Sequence, residues 1–115
     1  MNIENARQYS KEVQGVFRAL SDPTRRDILI HLTEGDLSIG DVVERYDITR
    51  AAVKKHLTVL EEGGLISVSV RGRERINQLK PEGVRRAHDW LQYFNQFWED
   101  KLNTLKNVIE AEKRN

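Results

Sequence analysis

Tyr9, Val13, Val16, Phe17 and Leu20 recur at three- and four-residue steps, the spacing of one helix face. The pattern predicts a single helix from about Asn5 to Leu20. Asp22-Pro23 then marks a new start, because Asp can cap a helix and Pro suits its first position. The helix it opens turns Ile28, Leu29 and Leu32 inward and stops near Gly35. Ser38-Ile39-Gly40-Asp41 reads as a capping box with Asp in the usual Glu place. A short helix through Val42 and Val43 ends at about Tyr46. Asp47-Ile48 forms a turn, and Thr49 caps a further helix with Val53, Leu57 and Leu60 on one face.

Gly63-Gly64 stops that helix. Leu65, Ile66, Val68 and Val70 predict a strand, Arg71-Gly72-Arg73 a hairpin tip, and Ile76 and Leu79 a return strand. Pro81 opens a long helix with Val84, Ala87, Leu91, Phe94, Trp98, Leu102, Leu105 and Ile109 on one stripe. Trp90, Tyr93 and Phe97 widen it, and the last residues, AEKRN, are expected to fray. The predicted fold is mainly α with a small β-hairpin, in one domain over residues 1–115. Helix, tight turn, helix and hairpin in this order make a winged helix-turn-helix. Its recognition helix covers about 49–62, its wing about 65–79 and its last helix about 81–110.

Charge sharpens this reading only locally. The 115 residues are 32% charged, yet the formal net charge is +1. From Thr49 to Leu60, however, Arg50, Lys54 and Lys55 stand without any Asp or Glu. The wing adds Arg71, Arg73 and Arg75 against Glu74, while Glu61, Glu62, Glu99 and Asp100 lie elsewhere. A basic stripe on a neutral protein still attracts phosphate, since screening confines each field to about 8 Å. Thr49, Arg50, Ala51, Lys54, Lys55 and His56 are therefore the expected DNA contacts of the recognition helix. Arg71, Gly72, Arg73 and Arg75 are those of the wing. Arg50 suits a base contact, because a guanidinium can bind both acceptors of guanine. Ala51 is small enough to let the backbone approach the groove. His56 borders the buried face, where a structural hydrogen bond competes with a phosphate contact.

Catalysis finds no support. His31, His56 and His88 fall on three separate helices, and no nucleophile–base pair or phosphate loop accompanies them. There is no cysteine, which removes disulfides and thiolate metal sites. No apolar run is long enough to span a bilayer, and a cytoplasmic protein without membrane insertion is expected. No cofactor and no metal are expected. The aromatic stripe of the last helix is too wide for so small a domain to bury alone, and such patches mark interfaces. Tyr9, Val13, Phe17, Leu91, Phe94, Trp98, Leu102 and Leu105 are the expected homodimer interface, formed by the first and last helices. The alternative is a winged-helix protein-interaction module that has lost DNA binding. The acid-free stretch from Thr49 to Leu60 speaks against it.

The segments ALSDPTRRDIL (19–29), AAVKKHLTVLEEGGLI (51–66) and VRGRERINQL (70–79) resemble the ArsR-type winged-helix repressors, in particular their cysteine-free autorepressor branch. The resemblance spans roughly residues 16–105. It implies a homodimeric bacterial transcription factor that represses an inverted-repeat operator in double-stranded DNA, its own promoter included. Metal-sensing members carry a Cys-x-Cys pair where this chain has Ser38 and Gly40. A second metal site of the family maps to Pro81, Gly83, Phe94 and Phe97, none of which ligates zinc. Without thiols or the family's ligand sets, release from DNA is expected from a sequestering protein, from a small ligand in the interface or from protein level alone, not from a metal.

Overall fold

The computed structural model describes residues 2–114. Six helices and three short strands follow one another: α1 (Ile3–Glu12), α2 (Gln14–Leu20), α3 (Pro23–Leu32), β1 (Leu37–Ser38), α4 (Ile39–Arg45), α5 (Arg50–Glu62), β2 (Ile66–Arg71), β3 (Glu74–Leu79) and α6 (Pro81–Arg114). The strands form one antiparallel sheet in the order β1-β3-β2. The core lies where α2, α3, α4 and α5 meet the base of the hairpin. It holds Val16, Ala19, Ile28, Leu32, Val42, Val53, Leu57, Leu60 and Leu65.

The predicted first helix is two. The chain bends at Val13 (φ −95, ψ 5), although Val13 N–H still donates to Tyr9 O (3.0 Å) and Phe17 N–H to Val13 O (3.1 Å). The bend coincides with Gly15, a common place for helices to kink. It lets α2 lie against the end of α5 so closely that a Cβ on Gly63 would stand 2.6 Å from the Gly15 carbonyl oxygen.

The caps hold where the sequence puts them. Asp22 Oδ2 accepts from Arg25 N–H (3.0 Å), and Thr49 Oγ1 from Ala52 N–H (3.1 Å). Ser38 and Asp41 close the capping box in both directions. At the end of α5, Leu65 N–H reaches Leu60 O (3.0 Å) and Gly64 N–H reaches Glu61 O (2.9 Å). This pair is a Schellman motif with Gly64 at the left-handed position (φ 76). It turns the chain sharply into β2 and buries Leu65.

In the hairpin, Arg71 pairs with Glu74 across Gly72-Arg73. Only Gly72 has a positive φ (64) there, the pattern of a type II′ turn. The sequence reading lacks β1, because two residues carry no periodicity. Its anchor is Asn77, buried in β3, whose Nδ2 donates to Leu37 O (3.1 Å).

The 34 residues of α6 run to Arg114, past the predicted stop near 110 and into the stretch expected to fray, of which Asn115 lies outside the described residues. Their first turns pack on the body. Gly83 and Ala87 are buried, and Trp90 stacks edge-on against Phe17 (5.5 Å) and donates to Ala6 O (3.1 Å). Beyond Phe94 the helix leaves the body behind, which stretches the molecule to 72 Å.

Candidate nucleic-acid interface

Successive residues of an α-helix step by about 100°. With Val53, Leu57 and Leu60 buried, the face of α5 turned fully outward carries Ala51, Lys55, Thr58 and Glu62. Arg50, Lys54 and Glu61 lie on the flank toward the wing. Ala52, His56 and Val59 lie on the opposite flank, toward α2 and α3. Between α5, the start of α4 and the wing runs a cleft of about 480 Å3. Arg50, Lys54, Arg73 and Arg75 line it, together with Glu61 and Glu74.

The structure thus gathers four of the predicted basic residues from two elements along one cleft. Lys55 stands beside them on the outermost face of α5. Thr49 caps the helix, and Gly72 forms the turn that aims Arg73. Sequence reasoning missed two residues of this surface. Thr58 lies one turn beyond Lys54, on the outward face where it borders the cleft, and counting in steps of four from Arg50 would have found it. Glu61, counted among acids lying elsewhere, lines the basic cleft itself.

His56 lies apart from the other predicted contact residues. Its ring is on the flank opposite Arg50 and Lys54: Nδ1 stands 3.3 Å from Arg25 Nη1 and 3.9 Å from Asp22 Oδ2, and the side chain is only 20% exposed. The structural hydrogen bond wins over a phosphate contact, because the helical step from Leu57 turns position 56 toward α3. Arg71 is also less free than its neighbours. Its guanidinium lies 3.4 Å from Asp36 Oδ2, which also accepts from Gln78 Nε2 (2.9 Å).

A second network braces α4, the first helix of the motif, against α3. Tyr46 O–H donates to Asp27, His31 Nε2 lies 3.4 Å from the same carboxylate, and Arg45 Nη1 lies 3.0 Å from His31 Nδ1. Burial and the Asp27 carboxylate hold the Tyr46 phenol well above its usual pKa, so it stays a donor. The two cap carboxylates are pulled the other way. Asp22 is lowered chiefly by the Arg25 backbone N–H, and Asp41 chiefly by the Ser38 backbone N–H.

The predicted interface residues divide. Val13 is 0% exposed within the single chain and is corrected from interface to core. Tyr9 and Phe17 are half-buried. Leu91, Phe94, Trp98, Leu102 and Leu105 are exposed, and Phe97, Val108 and Ile109 extend the same apolar surface. Among the described residues no helix is long and apolar enough to cross a membrane.

A helix-turn-helix domain model matches residues 20–69, from the end of α2 to the middle of β2. The transcriptional repressor SdpR of Bacillus subtilis is 33% identical over 82 residues, 71% of this chain and 91% of that protein. The arsenical resistance operon repressor of Staphylococcus xylosus is 29% identical over 86 residues, 75% of this chain and 76% of that protein. Among solved structures, an ArsR-like transcriptional regulator from Rhodococcus sp. RHA1 superimposes with a TM-score of 0.77 at 29% identity. That match covers 96% of this chain and 98% of the other. With the winged fold, the basic cleft and these relatives together, the chain belongs to the ArsR family of winged helix-turn-helix, DNA-binding transcriptional regulators.

Proposed function

We propose that the chain is a homodimeric repressor that binds an inverted-repeat operator, its own promoter being the first candidate. α5 enters the major groove with Ala51 and Lys55 foremost, and Arg50 and Lys54 reach base edges or phosphates on the wing side. Arg73 and Arg75 of the wing hold the flanking backbone. Contacts to phosphate give affinity and register, and contacts to base edges give sequence preference.

The observation that carries this reading is the cleft. Two successive elements, α5 and the wing, turn Arg50, Lys54, Arg73 and Arg75 toward one space. The dimer follows from the exposed apolar stripe from Leu91 to Ile109, which water would otherwise cover at a cost. A two-fold axis through α1 and α6 sets the two copies of α5 about 34–36 Å apart, one turn of duplex. Release comes from a protein that sequesters the dimer or from an organic ligand. The groove between α1 and α6, lined by Ile3, Ala6, Trp90, Tyr93 and Phe94, suits the apolar part of such a ligand.

Footprinting on the chain's own promoter tests the proposal. Two protected half-sites, one helical turn apart, are expected. A single protected half-site would refute the dimeric arrangement, and no protection at any promoter of the host would refute operator binding.

A further inference from the structure

We infer that Arg25 is a positioning residue for the recognition helix: it ties His56 of α5 to the carboxyl end of α2 and so fixes how α5 is presented to DNA. The inference rests on the DNA-binding role of α5.

A helix leaves its last four carbonyls without intrahelical partners. At the end of α2 the Arg25-Arg26 pair supplies the missing donors. Arg26 Nη1 donates to Leu20 O (2.7 Å). Arg25 Nε donates to Ala19 O (2.8 Å), and its Nη2 donates to Arg18 O (2.9 Å) and to Ser21 Oγ (3.4 Å). These contacts leave Nη1 pointing across to α5, where it meets His56 Nδ1 at 3.3 Å. A guanidinium donates only, so Nδ1 accepts and the neutral ring carries its proton on Nε2.

Geometry explains why arginine is needed. Its planar fork spreads donors in fixed directions, whereas an ammonium is a compact point that cannot reach two carbonyls and a ring together. Asp22 fixes the base of the fork by accepting from the Arg25 backbone N–H (3.0 Å). The buried seam of Val53, Leu57 and Leu60 holds α5 from one side only. His56 sits on the flank opposite Arg50 and Lys54, so the tie restrains a roll of the helix about its own axis. Letting it go would shift the basic flank relative to the wing without emptying the core.

The test compares binding of the full-length protein to two duplexes of equal length, one with its own promoter sequence and one scrambled, for wild type, Arg25→Lys, His56→Leu and His56→Asn. An Asn amide oxygen stands about where Nδ1 stands and can accept from Arg25, whereas Leu cannot. Arg25→Lys and His56→Leu should lose roughly tenfold on the promoter duplex, the scale of one hydrogen bond to a charged group. Binding to the scrambled duplex should hardly change, and His56→Asn should recover most of the loss. If Arg25→Lys lowers the melting temperature as well, the two His56 variants decide, since they leave the α2 carbonyls capped. Equal losses on both duplexes, or Asn no better than Leu, would overturn the positioning role. If wild type itself fails to distinguish the duplexes, the operator reading fails, and the inference falls with it.

Discussion

Arg73 and Arg75 of the wing give the sharpest test of how the chain holds the DNA backbone. Both line the cleft beside α5, and both are exposed. Replacing both with Ala removes no buried contact, so the fold should persist. If each neutralises one phosphate, the slope of log affinity against log salt shrinks by about 0.9 per contact, or roughly 1.8 for the pair. Between 50 and 200 mM salt that difference amounts to about a twelvefold smaller loss of affinity than wild type suffers. Arg71→Ala should shrink the slope by less than about 0.9, because Asp36 already neutralises part of its charge. The assay is fluorescence anisotropy on a labelled duplex at four or five salt concentrations. A double variant with the wild-type slope would show that the wing is only a solubilising hairpin.

Three further outcomes follow from the packing. Tyr46→Phe removes the donor to Asp27 that braces α4 on α3, and should cost about 1 kcal/mol of stability in urea unfolding; an unchanged midpoint would remove the brace from the account. Asp22 and Asp41 are lowered in the fold, so their charged forms stabilise it above the unfolded-state carboxylate pKa. That stability is lost as pH falls through the lower folded values. Asp22→Asn with Asp41→Asn should therefore flatten the acid limb of the stability curve, and an equally steep limb would contradict this. Gly83→Ala would push a Cβ into the Gly64 carbonyl and to 2.9 Å from Leu65 Cδ2. It should destabilise by about 1–3 kcal/mol, seen in thermal melts; a neutral result would mean that α6 can shift without penalty.

What was legible in the sequence were features with a local physical cause. Asp22, Ser38 and Thr49 cap the helices they precede, and Asp41 closes the box from inside α4, because a cap needs only residues three apart. Gly64 and Gly72 stand where the backbone takes a positive φ. The basic residues of α5 and the wing were legible as candidates, since charge of one sign clustered twice. Three features needed the third dimension. The bend at Val13 depends on how α2 meets α5, and it turns an expected interface residue into core. The partner of His56 was not legible, because a position beside the buried seam can face either flank, and the Arg25 that meets it stands 31 residues away. The pairing of β1 with β3 comes from Asn77, a polar residue whose burial no hydropathy pattern announces.

Operator binding turns most directly on whether the α5 face distinguishes one sequence from another. The measurement is a titration of the protein into the promoter duplex and into a base-scrambled duplex at the same physiological salt, reading both affinity and stoichiometry. The account predicts that the promoter duplex binds at least about 10³-fold more tightly, saturating at two chains per duplex. Equal affinities for the two duplexes, or saturation at one chain per duplex, would contradict it.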